Sequence, residues 1–250
     1  MPELNLLDCN LVVGRRGTPR PGNDLSLEEI LAELEYAGIA AGLAYHAHAR
    51  EYDPRIGNDR LSQIASHHPR ILPCYVLLPP YTGEFPAGDA LLRYLADGGA
   101  RAVRLFPKDH SYGLGESWCG NLFSVLEEAG VPVLIDLDQT DWREIDQVLS
   151  AHPRLELVLL RTTYRIDRWI YPLLEKYPGL RLEIAFYPLH GGIEAIAERF
   201  GPERLVFGTG LPLWDAGAPL SLLQYAQISD EARGKIAGEN LEEMLWKETA

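Results

Sequence analysis

Residues 131–186 read VPVLIDLDQTDWREIDQVLSAHPRLELVLLRTTYRIDRWIYPLLEKYPGLRLEIAF. Three apolar runs, 131–137, 155–160 and 180–186, alternate with two stretches of helical spacing, 142–150 and 166–176. The runs are apolar on both faces, as expected of parallel strands covered on both sides. Gly130 and Gly179 stand where helices should stop. Upstream, the same alternation predicts strands over 4–13, 39–45, 71–78 and 100–106. Their helices fall over 27–36, 58–67 and 89–96, with a fourth carrying Leu122, Val125 and Leu126. Downstream come a helix over 193–200, a strand over 205–208 and closing helices over 220–227 and 230–246. Eight strand–helix pairs without a repeated consensus predict an α/β chain folded as one (β/α)8 TIM barrel domain over 1–250. In such a barrel the chemistry belongs at the C-terminal ends of the strands.

The chain has 250 residues, the size of a single barrel of roughly 250 residues. Its net charge of −13 argues against a nucleic-acid partner, which requires clustered Lys and Arg, and favours a small-molecule ligand. Acidic helix patterns such as Glu28, Glu29, Glu33 and Glu35 read as solvated faces. Residues 1–7 lack a basic segment followed by an apolar core, and no run approaches the roughly 18 apolar residues of a membrane span. The expectation is a cytoplasmic protein with no membrane partner, and assembly as a homo-oligomer is left open. Cys9, Cys74 and Cys119 are scattered, as reduced and buried thiols would be.

RLVFGTGLP at 204–212 resembles the eighth strand of the amidohydrolase-related metal-dependent hydrolases, a TIM-barrel branch of the amidohydrolase superfamily. LLDCNLVVG at 6–14 is similar to the first strand of that family, GNDRLSQIASHHPRI at 57–71 to its second helix, VPVLID at 131–136 to its fifth strand and KIAGENLEEML at 235–245 to its terminal helix. The resemblance implies metal ligands at five positions, which here hold Asn10, Val12, Asp136, Arg161 and Gly210. Zinc takes imidazole, thiolate or carboxylate donors, and a permanently charged guanidinium repels it. The resemblance therefore supports the fold, and the expectation is a barrel without metal or other cofactor.

Asp136 and Arg161, at the ends of neighbouring strands, should form an ion pair or share an anion, either as an internal brace or as a ligand contact. If Asp136 points inward, parity places Leu134 and Asp138 with it, and Leu159 and Leu157 with Arg161. Arg104 needs an acidic partner such as Asp136 or Glu183, and Lys108, on the same face, could meet a substrate carboxylate or phosphate or be a plain loop lysine. His46 and His48 follow the second strand, where a metal pair, proton transfer, ligand contact and structural hydrogen bonding are all open. His190, before Gly191 and Gly192, either assists anion binding at a helix start or simply begins the helix. Trp214 could close over a ligand or pack, and the 14–24 loop should cross the rim. Asp136, Arg161 and His46 are thus the candidate catalytic residues, and Asn10, His48, Lys108, Asp138, His190 and Trp214 the candidate substrate contacts. The expected activity is hydrolysis or lysis of a small anionic carbonyl or carboxylate compound without metal. The alternative is a non-catalytic binding or regulatory protein on the same barrel.

Overall fold

A computed structural model describes residues 4–246, so residues 1–3, part of the segment read above for a leader, lie outside the described residues. Eight parallel strands follow one another around a single sheet in chain order: β1 (Leu6–Val13), β2 (Ile39–His46), β3 (Ile71–Val76), β4 (Ala102–Leu105), β5 (Val133–Asp136), β6 (Leu157–Leu160), β7 (Leu180–Glu183) and β8 (Leu205–Val206). Backbone bonds from Cys9 N to Phe207 O (3.0 Å), Val12 N to Leu211 O (2.8 Å) and Gly210 N to Asn10 O (2.9 Å) close the ring between the last strand and the first. The chain is a (β/α)8 barrel, as its alternation implies.

Helices α1 (Leu27–Tyr36), α2 (Ala47–Glu51), α3 (Pro54–His67), α4 (Asp89–Asp97), α5 (Glu116–Glu128), α6 (Trp142–Ala151), α7 (Asp167–Lys176), α8 (Gly192–Phe200), α9 (Gly217–Tyr225), α10 (Asp230–Gly234) and α11 (Asn240–Leu245) lie between and after the strands. Their starts follow local chemistry. Ser26 and Glu29 form a reciprocal capping box at α1, and Asp53 caps α3 just ahead of Pro54. Among the described residues, no helix is long and apolar enough to cross a membrane.

Two large apolar layers result, beside a small cluster of Val12, Tyr45, Ala47, Ala49, Val76 and Phe106. One lies between the sheet and the helices and includes Leu11, Val103, Ile135, Leu157, Leu159 and Leu182. The other fills the barrel axis with Leu7, Cys9, Leu43, Cys74, Ala102, Leu134, Val158, Leu160 and Val206, and Leu241, Met244 and Leu245 of α11 pack against it. Strand β6 therefore turns Val158 and Leu160 inward, and the expected inward parity of Leu157 and Leu159 is corrected. The phase is lost at Arg161, which follows the strand with φ 53° and so leaves extended alternation altogether. The register of β1 also slips between Asp8 and Leu11, which lets Cys9 join the axial core and the next side chain, Asn10, bond inside the barrel.

The expected terminal helix over 230–246 is interrupted by a π turn, Lys235–Glu239. The wider turn leaves the Ile236 carbonyl to accept from Phe207 N (3.0 Å), tying the C-terminal helices to the end of β8. The three cysteines are buried and unpaired, as their spacing suggested.

Candidate active site

Asp136 ends β5 fully buried, and three guanidinium groups converge on it. Arg104, from β4, donates through Nη2 to Asp136 Oδ1. Arg50 Nη1, from α2, lies 3.6 Å from Asp136 Oδ2, and Arg161 Nη1 lies 3.8 Å from the same oxygen. Neither of these separations is a hydrogen bond, and Oδ2 is left buried without a partner. The pairing of Asp136 with Arg161 expected from adjacent strand ends is present at ion-pair distance, with Asp138 Oδ2 closer to the same Nη1, at 3.4 Å.

Each cation has further support. Arg104 lies over the Tyr45 ring (4.6 Å to its centroid), and Arg50 lies over Phe106 (4.5 Å) while its Nε donates to Asp109 Oδ2 (2.7 Å). Arg161 sits over the Trp214 indole (4.7 Å), whose edge meets Phe186 at 4.8 Å. Burial works against the charge of Arg104, but Asp136 foremost, with Tyr45 and Cys74, more than offsets it and holds the group protonated.

Beneath these groups lies a second carboxylate. Glu183, at the end of β7, accepts from Asn10 Nδ2 (2.7 Å) through Oε1 and from the Arg161 backbone N–H (3.1 Å) through Oε2. Asn10 in turn accepts from Arg104 Nη1 (2.8 Å). Asp8 accepts from the backbone N–H groups of Asn10 (2.8 Å) and Thr209 (3.0 Å) and from the Thr209 hydroxyl. Burial pushes the Glu183 carboxyl up to about 7 and the Asp8 carboxyl up to about 6, their hydrogen bonds countering only in part.

A cavity of about 410 Å³ opens above this floor, lined by Val12, Tyr45, Arg50, Arg161 and Trp214 and, from the first loop, by Arg16 and Arg20. Arg16 is held to Glu51 (3.3 Å), whose other oxygen accepts from Gly17 N, so the 14–24 loop does cross the rim. Below it, a gap too narrow to hold a water is lined by Asn10, Val12, Asp136, Arg161 and Gly210 together. The five positions aligned with family metal ligands therefore meet at one point.

That point does not fit a divalent ion. The donor set there is an amide, an alkyl group, one carboxylate, a guanidinium and a glycine, and the carboxylate already faces three cations. At Gly210 a Cβ would lie 2.9 Å from Trp214 Cε3, and the backbone has φ 74°, so the indole fills the space a side chain would need. Among the described residues, no three His, Cys, Asp or Glu groups assemble as a metal set.

Several sequence-derived candidates stand elsewhere. His46 ends β2 and caps α2, its Nδ1 accepting from His48 N (3.1 Å), and its ring lies under Gly14, outside the cavity lining. Burial first, then Arg60 and His48, lowers its pKa to about 4, so it is neutral in the folded protein. His48 stacks on Tyr52 (5.0 Å). The strand stops at His46, and the two rings meet edge to face with centroids 6.4 Å apart, without a third ligand group assembled beside them among the described residues. Lys108 lies beyond β4 rather than on its face and donates to the Asp138 carbonyl (2.6 Å). His190 is exposed and borders a separate groove between α8 and α9. Arg50, Tyr45, Arg16, Arg20 and Glu183 were missed as site residues. Glu183 had a legible signal, an acid flanked by the apolar Leu182 and Ile184, and Arg50 lies in the same run as His46 and His48.

The amidohydrolase family pattern matches residues 14–245. The chain belongs to the amidohydrolase family. No curated protein sequence matches it. Among solved structures, an uncharacterized TIM-barrel protein from Bordetella bronchiseptica is similar at 21% identity and TM-score 0.73, over 97% of this chain and 98% of that one. The 5-carboxyvanillate decarboxylase of Sphingomonas paucimobilis is similar at 15% identity and TM-score 0.74, over 97% and 99% of the two chains. A 2,6-dihydroxybenzoate decarboxylase from Rhizobium is similar at 14% and 0.71, over 97% and 98%. At such identities the likeness is one of amidohydrolase fold.

Proposed function

We propose that this amidohydrolase-family barrel is a lyase- or hydrolase-type enzyme acting on a small carboxylate compound, with guanidinium groups supplying the positive charge that a metal supplies elsewhere in the family. The observation that carries this reading is Asp136. Its buried Oδ2 has no hydrogen-bond partner, lies at a gap under the cavity too narrow for a water, and is flanked by Arg50 and Arg161, which the gap and the cavity share. A substrate carboxylate or carbonyl oxygen would take the Nη1 groups of Arg50 and Arg161, which are fixed donors for an oxygen that gains negative charge in the transition state. Asp136 Oδ2 would exchange a proton with that bound atom only once a shift of the Arg50 or Arg161 side chain uncovers it. The partly exposed Trp214 indole in the cavity lining suits a planar ring. The decarboxylases of carboxylated aromatics among the fold neighbours support the same substrate class by analogy.

A second reading is a binding protein without turnover. It draws on Gly210, where the family's eighth-strand carboxylate has given way to a glycine covered by Trp214. Calorimetry and turnover with a panel of benzoates, hydroxybenzoates and small carboxylate-bearing amides and lactones, each with and without chelator, separate the two. Chelator-insensitive turnover supports the first reading, binding alone the second. One zinc per chain with chelator-sensitive turnover defeats both.

A further inference from the structure

We infer that Glu183 is a positioning residue that sets both floor guanidiniums through the donor–acceptor polarity of a single chain of hydrogen bonds. The chain runs from Arg161 N–H to Glu183 Oε2, and from Glu183 Oε1 through Asn10 Nδ2 and Oδ1 to Arg104 Nη1. A carboxylate only accepts and a guanidinium only donates, so the amide between them has one permitted orientation. The same carboxylate anchors the backbone of Arg161, a residue with φ 53° whose side chain reaches Asp136. Glu183 lines neither the cavity nor the gap below it and acts through others. The inference rests on reading the cavity as an anion site.

Glu183 has no room to choose other partners. A Cβ at Gly208 would lie 2.5 Å from its Oε1 and 2.8 Å from Cys9 Sγ. Asp8, Cys9, Arg104 and Arg161 are the titratable or charged groups around it. Protonation turns one of its oxygens into a donor, which then faces either Asn10 Nδ2 or Arg161 N–H, both donors themselves. An anion site that depends on this chain should therefore loosen as pH falls through about 7, where burial places Glu183.

Glu183→Gln creates the same mismatch without changing volume. Asn10→Asp added to it restores the chain with no change in charge, because the new amide at position 183 then donates to a carboxylate that still accepts from Arg104. With benzoate as probe at pH 8, calorimetry should show about a tenfold loss of affinity in Glu183→Gln, the scale of a charge-assisted hydrogen bond. The double variant should recover most of it and lack the inflection near pH 7. Simple electrostatics gives the opposite sign, since removing a negative charge beneath a bound anion tightens binding, and tighter binding in Glu183→Gln overturns the inference. The Arg161 backbone amide and the Asn10 side-chain amide, followed by NMR without ligand, give a second readout. One of them should lose its hydrogen-bonded shift in Glu183→Gln, and in the double variant the Arg161 amide and the new side-chain amide at position 183 should both be hydrogen-bonded; no change in Glu183→Gln overturns positioning. Should wild type ignore benzoate while these resonances behave as expected, the anion reading fails and the positioning role stands. If Glu183→Gln does not fold, a folded, benzoate-binding double variant supports the inference and an unfolded one overturns it.

Discussion

Replacing Arg161 with Met separates a structural brace from a ligand contact. The side chain is 26% exposed, and its carboxylate neighbours stand at 3.4 and 3.8 Å. Ion pairs of that kind contribute about 0.2–1 kcal/mol each. The cation–π contact with Trp214 adds about 0.5–1 kcal/mol, part of which a methionine sulfur on the same indole retains. The left-handed backbone is unchanged by the substitution, so its strain cancels. The expected cost is about 1 kcal/mol, which for a chain of this size lowers Tm by about 2–4 °C. Loss of a charge-assisted hydrogen bond to a bound carboxylate is larger, about 1.5–3 kcal/mol, or roughly 10- to 150-fold in Kd. Differential scanning calorimetry and benzoate titration on the same preparation measure both. A Tm loss above about 10 °C with an unchanged Kd would refute the assignment and make Arg161 an internal brace.

Arg104→Met should behave in the opposite way: it strands buried Asp136 and costs about 3–5 kcal/mol of stability by chemical denaturation, whatever the ligand. Glu183 and Asp8 have folded pKa values above their ordinary ones, so the folded state binds more protons between about pH 4 and 7, and their contribution fades as pH rises through about 6 and then about 7. Denaturant titrations from pH 5 to 8 should show that decline, reduced in Glu183→Gln. His46 has the opposite sign, since it is protonated when unfolded and neutral when folded from about pH 4 to 6.5; its contribution grows over that window, and His46→Asn should flatten the growth while keeping the cap on α2. Gly210→Asp reinstates a carboxylate at the family position but should bind no zinc by elemental analysis, and the left-handed backbone alone should cost about 1–2 kcal/mol.

The barrel was legible because burial on both faces leaves long apolar runs that helical stretches separate cleanly. Asp136 and Arg161 were legible as strand-end charges, and Arg104 as a cation in an apolar strand that had to find an acid. Other features depended on what the chain does after each strand ends. Alternation told nothing once β2 turned into α2 at Ala47, which left His46 capping α2 under Gly14, set His48 against Tyr52 and brought Arg50 into the cavity lining. Likewise, counting backward in twos from Arg161 failed because its φ of 53° breaks the phase of β6. The link from Asn10 through Glu183 to the Arg161 N–H joins β1, β7 and the residue that follows β6, and no local pattern encodes it.

Helix α11 sets its Leu241, Met244 and Leu245 against the axial core at the N-terminal end of the barrel. Among the described residues that packing stoppers the axis at that end. On the function proposed above, a product would retreat past Trp214 and the arginine loop, the way its precursor came, and one that lingered on the guanidiniums would block the next arrival. A tightly held anion would then act as a competitive inhibitor, and its departure would set the pace of turnover.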